Sequence, residues 1–305
     1  MAVRRQASFN PTLTNYGQGV AQDLKTALAE FMAPTVQVGS TVGQYKKYDD
    51  KNAFQIHETE RAVGGAARRI EFSSTDPVYN CRPHALEIPI DDSETDAAGE
   101  QATSLRMSKT KTLVTSAVLS RENRVITIAK GLTAAAGKGV WSNTSTDPVA
   151  ELDEQIEAIA TKTGMMPNRI VFGLGGWRVF RNHPKVVAKQ PGAALIGVTE
   201  DQAAKMLLNP GISIKVGVLS KDTSKFGAAA TKVNIVGAEV FIFIASDSPT
   251  EYDPSWLKTF SGARGSVSSV REYYDDRARS QILAVDFSEQ IVQVSDISAA
   301  RLTIS

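Results

Sequence analysis

Two glycine-rich stretches hold the residues best placed for chemistry, because glycine lets backbone N–H groups close on a phosphate at the start of a helix. The first runs from Gly173 to Gly176, between the apolar run 170–172 and a segment in which Trp177, Phe180 and Arg181 recur at helical spacing. A dinucleotide fingerprint needs a third small residue three positions after Gly175, and this chain has Arg178 there. The second stretch is Ala136-Gly137-Lys138-Gly139, whose Lys138 suggests a phosphate-binding loop. Gly131 is one residue too far from Gly137, Gly139 stands where Ser or Thr should bind magnesium, and no buried strand leads in. The first therefore reads as a packing turn and the second as a flexible link after a helix.

Other reactive side chains are scattered. His57, His84 and His183 are far apart, and none forms a close pair of metal ligands of recognisable spacing. Cys81 is the only cysteine, so no internal disulfide can form and no cysteine–histidine pairing is legible. Glu58, Glu60, Asp275 and Asp276 lie in charged stretches expected to be solvated, and there is no G-x-S-x-G elbow. The expectation is a protein without catalytic, metal or cofactor residues. Lys and Arg number 34 against 33 Asp and Glu, so a net charge of +1 offers no strong field for nucleic acid. Apolar content of 42% over 305 residues suits a folded chain with a sizeable core. No apolar run reaches membrane-spanning length, and the start lacks the apolar stretch of a secretory signal, which points to synthesis in the cytosol.

The elements that position these residues follow from periodicity. Leu13, Tyr16, Val20, Leu24, Leu28 and Phe31 recur every three or four residues, predicting one helix before Pro34. Strands are expected at 44–48, 69–73 and 86–90, with Gly64 and Gly65 at a reversal. Such a hairpin, rich in Arg and Glu, has little core of its own and should rest on something outside itself. Ser93 to Asp96 has the form of a capping box, and a long helix from about 95 to 130 would run roughly 50 Å. Pro148 opens a helix stopped by Gly164, and it leads into the buried strand at 170–172 with Phe172. That strand needs cover on both faces, with Trp177 and Phe180 as core anchors. A capped helix at 199–208 and strands at 212–219, 232–236 and 239–245 follow. Late strands at 267–274, 282–287, 290–294 and 297–304 have no helix of their own, and the long helix is their natural partner.

The chain resembles the major capsid proteins of tailed bacteriophages, of the Hong Kong 97 type. The residues that carry the resemblance are Asn10-Pro11 before an apolar helix, Tyr45-Lys46-Lys47-Tyr48-Asp49, the Gly64-Gly65 hairpin, the long helix, and the succession from Pro167-Asn168 to His183-Pro184-Lys185. The resemblance implies an α+β fold with an N-terminal arm at 1–38, an extended loop at 39–91, a peripheral domain with spine helix at 92–147, a mixed α/β axial domain at 148–254, and peripheral-domain strands with the C-terminus at 255–305. It further implies self-assembly into hexamers and pentamers of an icosahedral shell around double-stranded DNA. Scaffold, portal and decoration proteins would be further partners. The arm stripe of Leu13, Tyr16, Val20, Leu24 and Leu28 and the loop residues Arg61, Gly64, Gly65, Arg68 and Arg69 would be subunit contacts.

Two departures from the type member stand out. The chain begins directly at the arm, without a long charged scaffold-like segment. No lysine lies between Lys51 and Lys109, so the outer loop lacks the lysine that cross-links subunits there. A shell protein of an encapsulin-like nanocompartment is the alternative within the fold, and an α/β enzyme the alternative outside it.

Overall fold

The computed structural model describes residues 8–23, 27–47, 59–60, 76–189, 197–225, 228–262 and 269–305. The chain starts with a short strand, β1 (Ser8–Phe9), and helix α1 (Pro11–Asp23). Asn10 caps α1 by accepting the Leu13 N–H at 3.1 Å, and Pro11 supplies a preset φ in the first turn. The predicted single arm helix is two: α2 (Ala29–Met32) starts afresh where the Glu122 carboxylate takes the N–H groups of Leu28 and Ala29. Strands β2 (Thr35–Gln37), β3 (Val42–Gln44), β4 (Val78–Asn80) and β5 (Arg82–Asp91) follow.

Asp91, rather than Ser93, caps α3 (Asp92–Ala98), accepting the Ser93 N–H at 2.9 Å. Gly99 then adopts φ +49°, a conformation that costs a side-chain-bearing residue, and divides the predicted long helix. After a single 3₁₀ turn the spine helix α4 (Ala102–Ala129) runs 28 residues, about 42 Å rather than 50. The link after it is fastened, not loose. Ala135 donates to the Arg301 carbonyl at 2.8 Å, Ser142 to the Ser305 carbonyl at 2.9 Å, and Trp141 is 1% exposed.

Helix α5 (Pro148–Thr163) has the predicted ends, with Asp147 accepting from Val149 and Ala150 and Gly164 left-handed at its close. Strand β6 (Arg169–Gly173) is buried throughout and leads into α6 (Leu174–Asn182), α7 (Pro184–Lys189) and α8 (Glu200–Lys205). The last of these carries a Thr199–Gln202 capping box. Then come β7 (Ser213–Gly217), β8 (Ser220–Asp222), β9 (Lys232–Asn234), β10 (Glu239–Phe243), β11 (Leu257–Ser261), β12 (Val270–Asp275), β13 (Ser280–Gln293) and β14 (Ala299–Thr303).

The mixed sheet has the order β14-β10-β6-β7, parallel only between β6 and β7. Both faces are covered, as the apolar run in β6 requires. Ile170, Phe172, Val240 and Ile242 meet α5 to α8, while Val171, Phe241 and Phe243 meet Leu28, Met32, Val125, Ile126 and Trp256. A larger sheet, β1-β12-β13-β11-β2 with β5 on the other edge of β13, packs on the spine helix through Leu283, Val285 and Phe287 against Leu113, Val114 and Ala117. The spine therefore serves both sheets.

Two strand expectations change. The separate strands at 282–287 and 290–294 are one fourteen-residue strand, β13, because Ser288 and Glu289 are buried within it instead of marking a turn. The last strand, β14, expected with the peripheral strands, pairs antiparallel with β10 and closes the mixed sheet.

Candidate functional site

The glycine turn at the start of α6 is built for packing. A side chain at Gly173 would put its Cβ 2.1 Å from the Gly237 carbonyl, and that same carbonyl accepts the Gly175 N–H at 3.3 Å. The Gly175 N–H, which a phosphate cradle would use, thus faces backbone. Phe172, Trp177 and Phe180 form the aromatic core behind the turn, with centroids 5.3 to 5.7 Å apart and exposures of 0, 8 and 0%. In the other glycine stretch Lys138 pairs with Glu154, and Gly139 donates to the Glu151 carboxylate that also holds the Trp141 indole at 2.8 Å.

The potential nucleophiles and ligands are likewise engaged. Burial pushes the Cys81 thiol up, and its sulfur donates to the Phe260 carbonyl. His183 is buried at the end of α6, and His84 stacks on Phe287 at 5.4 Å. Asp275 accepts the Arg277 N–H in the β12–β13 turn. Glu58 and His57 lie outside the described residues. Among the described residues, no three His, Cys, Asp or Glu converge on a metal position, and no helix is long and apolar enough to cross a membrane.

What the polar side chains do accomplish is to lock separate segments into one body. Glu122, 1% exposed on the spine, receives Leu28 N–H at 2.8 Å and Ala29 N–H at 2.7 Å from the arm, and burial pushes its carboxyl up. Glu289 of β13, 5% exposed, is held by Arg124 and by Arg121, whose guanidinium also reaches Glu30 at 3.1 Å. Arg301 in β14 joins Glu239 at 2.8 Å to the carbonyls of Lys130 and Leu132 at the end of the spine. Lys258, fully buried, donates to the carbonyls of Thr250, Glu251 and Asp253 and pairs with the Asp253 carboxylate at 3.0 Å. Buried pairs of this kind contribute less to net stability than to a unique arrangement, because desolvation offsets their attraction.

Sequence reasoning missed Arg121, Glu122 and Glu289 as a group. The available signal was charge on the packed face of the spine, where Arg124 interrupts the stripe of Leu113, Ala117 and Ile128. Of the expected arm contacts, Leu13 and Val20 are buried against the chain's own spine and β-strands, with Tyr16 packed beside them, and Leu28 is buried under the mixed sheet. These side chains are used within the chain. Leu24 and the loop residues Arg61, Gly64, Gly65, Arg68 and Arg69 lie outside the described residues.

No family model matches the chain. The major capsid protein of Burkholderia phage BcepMu is 27% identical over 273 residues, which is 86% of this chain and 86% of that protein. A phage-related protein from Bordetella bronchiseptica RB50 has a crystal structure that superposes with a TM-score of 0.73 at 21% identity, covering 98% of both chains. The mature capsid of bacteriophage PhiM1 superposes with a TM-score of 0.55 at 11% identity, over 91% of this chain and 86% of that one. This architecture, shared along nearly the whole length of the chain with these proteins, is the α+β fold of Hong Kong 97-type phage capsid proteins.

Proposed function

We propose that copies of this chain close, as hexamers and pentamers, into the icosahedral shell around the double-stranded DNA genome of a tailed bacteriophage. The likeness to a phage major capsid protein across 86% of both chains carries the reading. The internal bracing supports its mechanics: a spine packed against two sheets gives each subunit the rigidity that repeated contacts require. Within the shell, residues 1–38 act as arm, 39–91 as extended loop, 92–147 with the strands after 255 as peripheral domain, and 148–254 as axial domain, its sheet completed by β14. The loop rests on a neighbouring subunit through Arg61, Gly64, Gly65, Arg68 and Arg69.

The genome is enclosed without sequence-specific contact, in keeping with a net charge of +1. Scaffold, portal and decoration proteins are the further partners in this reading, and synthesis takes place in the host bacterial cytoplasm. Electron microscopy of expressed protein, followed by analysis of particle contents after infection, is the test. Closed shells that carry DNA are expected. Particles filled with a protein cargo would move the reading to a nanocompartment, and a discrete monomer or dimer would overturn it.

A further inference from the structure

An open cleft of about 420 Å³ lies between the last turns of the spine and the start of β5, beside the Arg124–Glu289 pair. Ile128 and Ile291 give it an apolar floor, and Arg82, His84, Arg124 and Glu289 line its polar side. Arg124 is fixed there on three sides. Its guanidinium lies over Phe287 at 5.8 Å, one Nη donates to His84 Nδ1 at 2.9 Å, and the other pairs with Glu289. Its Nε is buried and has no hydrogen-bond acceptor.

Arg82 stands directly opposite Glu289 in the β5–β13 register, so both side chains share the face toward the spine. Yet Glu289 is already held by Arg121 and Arg124. Arg82 is left exposed, with no ion pair or hydrogen bond among the described residues. The cleft thus presents two guanidiniums against one carboxylate, beside an unfilled apolar floor. That combination suits one more carboxylate on a short apolar stem, received by a planar fork with parallel hydrogen bonds.

We infer that this cleft receives an aspartate or glutamate side chain, with an adjoining apolar residue, from a second copy of the chain. The inference rests on the shell reading, which sets neighbouring copies against the subunit's lateral surfaces. Charge complementarity selects the occupant. The apolar floor offers nothing to a phosphate or a nucleic-acid backbone, whereas the surfaces of this chain carry carboxylates in near balance with basic groups.

Arg82→Glu in the full chain tests it, because the new carboxylate would sit beside Arg124 and occupy the site from within. Subunits should melt as the parent does, since the Arg82 side chain makes no ion pair or hydrogen bond among the described residues, while assembly followed by light scattering should slow by about tenfold or more. Arg82→Gln should fall between the two. A photo-crosslinking residue in place of Arg82, activated in assembled shells, should join two copies at a peptide that contains an acidic residue. Parent-like assembly of Arg82→Glu, or a cross-link to nucleic acid or to a different protein, would overturn the inference and leave the shell reading intact. A parent chain that forms no shells would overturn both.

Discussion

Glu122 carries the most exposed consequence of a single side chain in this fold. Its carboxylate ties the spine to the start of α2 by accepting the Leu28 and Ala29 N–H groups. Glu122→Ala would leave both donors buried and unpaired, at a cost of about 1–3 kcal/mol in denaturant unfolding. The pH dependence has a definite sign. Burial raises the folded pKa above the ordinary 4.5 and outweighs the two amide hydrogen bonds and the nearby Arg121 charge that lower it. The folded state therefore holds this proton more tightly than the unfolded chain does, and the group's contribution is largest below 4.5 and declines as pH rises through the folded value. Urea midpoints of parent and Glu122→Gln, measured from pH 4 to 7, should differ by an amount that moves against the parent as pH rises. A difference that stays flat would remove the linkage. Phe172, Trp177 and Phe180 belong to the same scale: Phe180→Ala or Trp177→Ala should cost roughly 3–5 kcal/mol by opening a cavity among the stacked rings, and calorimetry or soluble yield would register it.

At the scale of elements, what was legible in the sequence followed from local rules, and what was not depended on partners far along the chain. Helix α5 was readable because Asp147, Pro148 and Gly164 set both ends locally, and β6 because a short apolar run before a glycine turn has few other readings. The spine's break at Gly99 was written in one glycine whose left-handed φ only the fold reveals. The continuity of β13 was hidden because Glu289 looks like a turn residue until Arg121 and Arg124 neutralise it. The placement of β14 turned on its pairing with β10, some sixty residues earlier, and periodicity carries no such information. The arm shows the same dependence in its energetics. Among the described residues, removing residues 1–9 takes away the two-residue β1 pairing with β12. Removing 1–33 also strips Leu28, Ala29 and Met32 from the core beneath Phe241, Phe243 and Trp256. The short deletion should leave soluble, cooperatively melting subunits. The long one should expose that core and aggregate, as read by dye binding and sedimentation; soluble folded subunits from the long deletion would mean that the arm's burial is dispensable.

At the scale of the whole molecule, the proposed shell raises the question of how its subunits would hold together when no lysine lies between Lys51 and Lys109 to form a covalent cross-link. Three arginines, Arg61, Arg68 and Arg69, flank Gly64-Gly65, and arginine's planar fork suits a reversible pairing with carboxylates. The structure narrows the acidic partners. Asp91 caps its own helix, Asp92 accepts from the Tyr274 hydroxyl, Glu94 pairs with Lys109 at 3.1 Å, and Asp275 holds the Arg277 N–H. Asp276, exposed in the turn between β12 and β13, has no such partner among the described residues. All five stand at one end of the larger sheet, since Ser280 pairs with Asp91 and the Arg279 carbonyl accepts the Asp92 N–H at 3.0 Å. An acidic rim that converges there can receive an arginine-bearing loop tip, with Asp276 as the open position. One solvated pair contributes only about 0–1 kcal/mol, so its effect would come from repetition around the shell and would weaken with salt. Arg68→Glu with Arg69→Glu should fold as the parent does but give shells that dissociate at lower guanidinium concentration, and Asp276→Arg should restore part of the loss in that double variant. Shells of parental robustness from the double variant, or no rescue by Asp276→Arg, would assign the hold to backbone pairing and apolar contacts at other surfaces.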